Sequence, residues 1–261
     1  MGEAAAERQG DGVATTTWRL DVQYEGTRFR GWAKQPGQRT VEGELERVLA
    51  MVLRTPVRLS VAGRTDTGVH ALAQVASFSS PAPVDPYRLR LALEAMLPDD
   101  MGVQAVTRAT DGFVARNAAL RTYRYRLWLA PARPVHERAY VWALRGDLGR
   151  AALQAMADLL VGHRDFAALT PSARLYHSCV RDVRSARWFE PPAGHSSELW
   201  FEVAAGSFLH NMVRVAVGSM VDVARGRMTA TQFAAALDSG ERRLMGQTAP
   251  ARGLALVAVD Y

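Results

Sequence analysis

The stretch Ala-Gly-Arg-Thr-Asp-Thr-Gly-Val-His at residues 62–70 places one carboxylate, Asp66, in a short polar turn between two apolar runs. Residues 57–61 alternate with a period of two, and residues 71–78 are also strand-like. An acid between two strands is held by rigid neighbours, which favours a functional role. An ordinary turn, in which Asp bonds its own backbone, fits the same pattern equally well. Residue chemistry alone therefore leaves both interpretations open.

The triplet Asp66-Thr67-Gly68 is also the triplet of aspartic proteases, which need two such acids sharing a proton. The chain has no second copy, although a homodimer could supply one. Arg64 and Thr65 separate the triplet from the preceding apolar run, whereas in the dimeric proteases it follows a strand directly. The sequence therefore disfavours a protease.

The composition is that of a globular protein of a reducing compartment. The chain has 261 residues, of which 48% are hydrophobic and 22% charged, and a single cysteine, Cys179. Its net charge is +6, and Lys34 is the only lysine. A GC-rich genome explains most of the lysine deficit, but the excess of positive charge remains and suits a phosphate-bearing partner.

The chain carries no recognisable targeting or membrane signal. Residues 1–16 lack the apolar core of a secretory signal and are predicted to be a disordered lead-in. The longest apolar stretch, residues 208–224, is interrupted by polar and charged side chains and is no membrane span. We therefore expect a cytoplasmic protein that does not enter a membrane.

Apolar periodicity and capping residues predict an α+β fold in two halves with a mainly antiparallel sheet. The first half, 17–112, is predicted as β-α-β-β-α-β, with strands at 18–25, 57–61, 71–78 and 103–107. Its helices are expected from the N-cap Thr40 to about residue 54, and from Asp85-Pro86 to residue 96. The second half, 113–261, is predicted to hold strands at 121–128, 180–189, 199–204 and 254–259, and helices at 148–160, 208–225 and 229–237.

Two segments of the second half are candidates for ligand contact. Residues 121–126 alternate, with Tyr123 and Tyr125 on one face; aromatic residues there could stack bases, but an ordinary sandwiched strand is favoured. The helix predicted from residue 208 places one arc of residues around Arg214, namely His210, Asn211, Gly218, Asp222 and Arg225. That arc is either a solvated face or the lining of a cleft in which Arg214 holds Asp66 ionised.

Motifs for metals and cofactors are missing from the sequence. The six histidines are scattered, with no pair at metal-ligand spacing, and neither a phosphate loop nor a dinucleotide fingerprint occurs. A Ser-His-Asp arrangement stays open, although no nucleophile elbow supports one. The chemistry is therefore expected to need no metal or cofactor.

Five motifs together resemble the bacterial tRNA pseudouridine synthase A family over residues 18–261. They are Tyr24-Glu25-Gly26 with Gly31-Trp32, residues 62–70, Tyr123-Arg124-Tyr125, residues 208–214 and residues 249–254. The resemblance implies the pseudouridine synthase fold, two α/β halves around a basic central cleft, in a homodimer without cofactor. It also implies isomerisation of uridine to pseudouridine at positions 38, 39 and 40 of the tRNA anticodon stem-loop, with the nucleotide flipped out.

The resemblance implies roles for individual residues. Asp66 matches the catalytic acid and nucleophile, and Tyr123 and Arg214 match its active-site partners. The matching substrate-binding positions are Arg64, Leu254 and Tyr123, to which we add two motif histidines, His70 and His210. Thr67, Asn211 and Ala33 depart from the residues that are usual in the family. A catalytically silent RNA-binding protein of the same fold is the alternative, which the intact Asp66, Tyr123 and Arg214 disfavour.

Overall fold

The computed structural model describes residues 15–80, 84–193 and 197–261, which form ten strands and five α-helices. The strands are β1 (Thr16–Tyr24), β2 (Ser60–Val61), β3 (His70–Ser80), β4 (Met101–Arg108), β5 (Leu120–Trp128), β6 (Trp142–Ala143), β7 (Gly162–Asp165), β8 (Val180–Phe189), β9 (Glu198–Ala205) and β10 (Leu254–Asp260). The helices are α1 (Val41–Leu53), α2 (Pro86–Met96), α3 (Arg150–Asp158), α4 (Met212–Ala224) and α5 (Ala230–Ser239).

All ten strands belong to one sheet with the order β4-β1-β3-β10-β5-β9-β8-β7, while β2 pairs with β3 and β6 with β5. Its pairs are antiparallel except β10 with β3 and β5 with β6. The predicted α+β class with a mainly antiparallel sheet is therefore confirmed. The last strand, β10, lies between β3 of the first half and β5 of the second, so both halves share one sheet. Their division into 17–112 and 113–261 stays a prediction.

The starts of three helices follow from their capping residues. The Thr40 side chain accepts a hydrogen bond from the third helical N–H of α1, and the Asp85 carboxylate accepts two from the first turn of α2. Thr229 forms a reciprocal capping box with Gln232 at α5. These caps stand where the sequence predicted the helices to begin.

Other elements differ from the sequence prediction. The helix expected from residue 208 begins only at Met212, because residues 208–211 form a turn in which Asn211 takes a left-handed φ of 61°. The strand expected at 57–61 is reduced to β2, and the short strands β6 and β7 were not predicted. The predicted lead-in, 1–16, falls mostly outside the described residues, but Thr16 already belongs to β1.

The core is one large cluster of side chains from the sheet and the helices, including Leu20, Tyr125, Leu45 and Phe233, all fully buried. Along β5, the tyrosines face this core, whereas the arginines of the alternate positions, Arg124 and Arg126, form ion pairs with Glu202 and Glu198. These arginines therefore agree with the interpretation of β5 as an ordinary strand. None of the helices in the described ranges has the length and hydropathy needed to cross a membrane.

Candidate active site

The turn at 62–70 is fixed on its sheet side by two side chains that donate to successive carbonyls. Arg121 donates through Nε and Nη2 to the carbonyl of Ala62, at 2.9 and 2.7 Å. Gln74 donates through Nε2 to the carbonyl of Gly63 at 2.7 Å. Since both donors are buried, the path of the chain into the turn is rigid where it approaches Asp66.

The opposite side of the turn rests on residues 24–32. The backbone N–H of Trp32 donates to the Thr65 carbonyl at 3.0 Å, and the hydroxyls of Thr65 and Tyr24 are hydrogen-bonded at 2.7 Å. Gly31 has a φ of +85°, and a Cβ there would lie 2.9 Å from the Thr65 carbonyl oxygen. Glycine is therefore needed at this position, which explains why Gly31-Trp32 accompanies the Asp66 motif.

Gly31→Ala should loosen this support and lower both stability and turnover. We expect a loss of roughly 1–3 kcal/mol in the free energy of unfolding, from left-handed backbone strain plus the clash with Thr65. Gly37→Ala is the matched control, because its φ is +68° but no atom lies within 4 Å of the added Cβ. Denaturant unfolding measures both variants, and equal losses would show that the contact with Thr65 contributes nothing.

The Asp66 carboxylate lies at the start of α4, with its side chain about 25% exposed. Its oxygens are 3.8 Å from Nη1 of Arg214 and 3.7 Å from Nε2 of His210, and it accepts a hydrogen bond from the Asn211 backbone N–H. Burial raises the pKa of Asp66 above its usual value, while the charges of His210 and Arg214 and this N–H oppose the rise. The surroundings thus combine a partly desolvated acid with the groups that stabilise its ionised form.

Arg214 is held in place by two hydrogen bonds besides its ion pair with Asp66. Its Nε donates to the Ala249 carbonyl at 2.8 Å, and its Nη1 donates to Oδ1 of Asn211 at 2.7 Å. Asn211 therefore contacts both partners of the pair, through its backbone N–H and its side chain. From the sequence, Asn211 was placed on the polar arc and noted as a departure from the family. Its positive φ, which Asn is among the few residue types to tolerate, was not predicted.

Two further residues of the predicted polar arc, Gly218 and Asp222, are packed against the segment 246–249. A Cβ at Gly218 would lie 1.9 Å from the Gln247 carbonyl oxygen, and Asp222 accepts hydrogen bonds from Gln247. The interpretation as a solvated face is therefore wrong for Gly218 and Asp222. Arg214 projects from the first turn of this helix beside the cleft.

Tyr123 and Leu254 form apolar walls of a cavity of about 870 Å³ that Asp66 also lines. The Tyr123 ring packs edge-on against Phe208, with centroids 5.0 Å apart. Burial, the nearby Tyr24 and the Asp66 charge raise the pKa of Tyr123 far above its usual value, so its side chain is a neutral phenol. The fold thus brings five predicted site residues to the lining of one cavity, with Arg214 beside Asp66: they are Arg64, Asp66, Tyr123, His210 and Leu254.

Three exposed arginines, Arg30, Arg64 and Arg116, line the same cavity. Within the described ranges, no ion pair involves any of them. Only Arg64 had been singled out from the sequence; Arg30 lies in a loop that was noticed as basic and aromatic, and Arg116 carried no local signal. Cations without anionic partners are free to bind phosphate groups.

His210 lies at the cavity wall in the turn before α4. Its Nδ1 is hydrogen-bonded with the Ser172 hydroxyl at 2.9 Å, and its backbone N–H donates to the Tyr176 hydroxyl at 2.9 Å. The His210 ring thus lies between the Ser172 hydroxyl and the Asp66 carboxylate. However, Nε2 is 3.7 Å from Asp66, beyond hydrogen-bonding distance, so the geometry does not support a hydrolytic triad.

His70 is a predicted site residue that lies away from this cavity. Its side chain is buried, its Nδ1 accepts a hydrogen bond from the Gly26 N–H at 3.0 Å, and its Nε2 therefore carries the proton facing the Arg252 carbonyl at 3.1 Å. Burial lowers the pKa of His70, in keeping with a neutral ring. With both nitrogens bonded to the main chain, His70 braces β10 and the segment at Gly26, which argues against the predicted contact with substrate.

Known proteins and a family model match most of this sequence. A family model described as tRNA pseudouridine synthase matches residues 22–112 and 156–261. A protein named tRNA pseudouridine synthase A from Solidesulfovibrio magneticus is 42% identical over 93% of this chain and 90% of its own length. Proteins of the same name from Corynebacterium glutamicum and Bacillus subtilis are 41% and 34% identical, over 93% and 92% of this chain and 88% and 97% of their own lengths.

A solved Cbf5–Nop10–Gar1 complex contains a chain that matches with a TM-score of 0.35 and 11% identity, covering 92% of this chain and 58% of that one. This likeness is too distant to inform the fold. The family model and the curated relatives each extend over most of the sequence. Asp66, Arg214 and Leu254 lie within the segments that the family model matches, whereas Tyr123 lies between them. The chain belongs to the tRNA pseudouridine synthase family.

Proposed function

We propose that this protein isomerises uridine to pseudouridine at positions 38, 39 and 40 of the tRNA anticodon stem-loop, as a cytoplasmic homodimer without cofactor. The observation that carries the proposal is the placement of Asp66, paired with Arg214, in a cavity walled by Tyr123 and Leu254. The relatives named tRNA pseudouridine synthase A support the choice of reaction and of tRNA.

The reaction needs no oxidant and no water. The N1–C1′ bond of uridine breaks, the base turns, a C5–C1′ bond forms, and the hydrogen on C5 is released while N1 gains one. Asp66 serves as the nucleophile, because an ionised carboxylate in a partly desolvated cavity can attack carbon or stabilise cationic character on the sugar. Attack at C1′, attack at C6 and a glycal route are all compatible with this placement.

Tyr123 and Leu254 hold the base. A base inside a stem is out of reach, so the nucleotide must be flipped into the cavity, where an aromatic ring and an apolar side chain supply its walls. Because its pKa is raised, the neutral Tyr123 is a poor proton acceptor. We assign Tyr123 a role in stacking on the base and in hydrogen bonding to it.

The test is tritium release from a tRNA transcript labelled at C5 of uridine, with matched transcripts that carry cytidine at 38, 39 and 40. Wild-type protein should release tritium only from the transcript with uridine at these positions. No release from either would support the silent RNA-binding alternative, and equal release from both would place the target elsewhere in the tRNA. Sedimentation of the free protein tests the homodimer.

Arg30 and Arg116 are expected to bind tRNA phosphates rather than to take part in the chemistry. Arg30→Ser and Arg116→Ser should each raise KM roughly three- to tenfold, leave kcat within about twofold, and reduce the slope of log K against log salt by about one. Arg150→Ser is the control, because Arg150 is exposed but lies outside the cavity lining and pairs with Glu190. Equal effects from all three variants would indicate general electrostatics instead of a binding surface.

A further inference from the structure

A buried arginine without a carboxylate partner lies behind the turn that carries Asp66. Arg121 is only 7% exposed, and no ion pair involves it in the part of the chain that the structure describes. All five of its N–H donors can instead be assigned to main-chain carbonyls. Nε and Nη2 donate to Ala62 at 2.9 and 2.7 Å, Nη2 also donates to Arg116 at 2.6 Å, and Nη1 donates to Ala118 and Gly206, both at 2.5 Å.

These four carbonyls belong to three separate segments, and all three segments line the cavity. Ala62 begins the turn that leads to Asp66. Arg116 and Ala118 belong to the turn before β5. Gly206 follows β9 and leads, five residues later, to Asn211, whose N–H contacts the Asp66 carboxylate. Arg121 therefore joins the base of the segment that holds Asp66 to the base of the segment that holds its partners.

The guanidinium group is suited to this task in a way that other side chains are not. Its five donors lie in one plane in a fixed fork, so they set the relative positions of several carbonyls at once. A lysine has three donors on a single flexible atom, and glutamine has two. Burying a cation without a counter-charge is costly, and burial lowers the pKa of Arg121. The strong carbonyl contacts offset this cost only as long as all three segments stay in place.

We propose that Arg121 is a positioning residue for the isomerisation, which sets the distance between Asp66 and the Asn211–Arg214 pair by clamping the three segments together. The proposal rests on the proposed function. Arg121 lines the cavity, but it is only 7% exposed and its N–H donors are taken up by main-chain carbonyls, so we expect it to act on the catalytic step rather than on tRNA affinity. Displacement of a reacting group by about 1 Å is enough to cost about 100-fold in rate.

The experiment compares Arg121→Lys, Arg121→Met and wild type by single-turnover tritium release, by filter binding of tRNA and by thermal unfolding. We expect the rate of Arg121→Met to fall about 100-fold while the Kd for tRNA stays within about threefold. Arg121→Lys should recover only part of this loss, because it keeps the charge but reaches fewer carbonyls. A loss confined to rate separates positioning from general damage, which would weaken binding and rate together.

Chemical rescue provides an independent measurement. In Arg121→Ala, guanidinium chloride at a concentration far below that needed for unfolding should restore part of the rate, whereas urea, uncharged and of similar shape, should not. Full rates in folded Arg121→Lys and Arg121→Met would overturn the proposal for Arg121 alone. Absence of tritium release by wild type would instead overturn the proposed function and this proposal with it.

Discussion

Asp66→Asn is expected to abolish release of the C5 hydrogen while leaving tRNA binding within several-fold. The amide keeps the shape of the side chain and its place beside Arg214 and Asn211, but it carries no negative charge for attack on carbon. Loss of a covalent catalyst typically lowers the rate by roughly 10⁴-fold or more. Phosphate contacts carry most of the affinity for RNA, so the Kd should change little.

Single-turnover tritium release and filter binding on the same preparation measure both quantities. Thr67→Ala is the matched control: Thr67 is the exposed neighbour of Asp66, and the family resemblance indicates that alanine is common there. It should keep a near-wild-type rate. An Asp66→Asn variant within tenfold of wild type would remove Asp66 from the chemistry and return the turn to an ordinary structural role.

Arg214→Leu is expected to lose nearly as much activity, through the ionisation of Asp66. Burial raises the pKa of Asp66 and the Arg214 charge lowers it, so removing the charge raises that pKa further. The ionised fraction at a given pH falls, and the acidic limb of the pH–rate profile moves to higher pH. The rate near neutral pH should fall about 100-fold or more, because the orientation of the carboxylate is lost as well.

The pH–rate profile separates these two contributions, because a purely structural defect lowers the rate without moving the limb. Arg225→Leu is the control on the same helix: Arg225 lies at the far end of α4, where it donates to the Arg145 carbonyl. Arg214→Lys should restore the position of the limb but only part of the rate, since lysine cannot bond Ala249 and Asn211 together. A normal rate and limb in Arg214→Leu would contradict a role for the ion pair.

Local signals in the sequence were sufficient for much of the fold. Thr40, Asp85 and Thr229 predicted helix starts because a capping side chain acts within three residues of itself. The Asp66 turn could be found for the same reason, since its glycines and its flanking strands are contiguous. The insertion of β10 between β3 and β5 could not be predicted, because pairing across such separations leaves no local pattern.

The same distinction between local and long-range signals applies to the site residues. The contacts that Asn211 and Arg121 make at the site were not predicted, because a left-handed backbone and a buried cation are set by tertiary packing. The helical wheel was drawn from residue 208, which placed His210 and Asn211 on a helix that starts only after them. His70 was selected for its closeness to Asp66 in sequence, yet four residues of turn and strand are enough to direct its ring to Gly26 and Arg252.

The central place of β10 has a consequence for how a newly made chain becomes active. Residues 254–260 are translated after every other strand, and until they arrive β3 at residues 70 and 71 and β5 at residues 120–125 have no partner on the sides that β10 occupies. Contacts so far apart in sequence form slowly, and unpaired strand sides are prone to aggregate in the meantime. Without this strand, β3, which follows the Asp66 turn, and β5, which carries Tyr123, have no strand between them to hold them in one sheet. The seven-residue strand β10 therefore couples the joining of β3 and β5 in one sheet to assembly of the cavity.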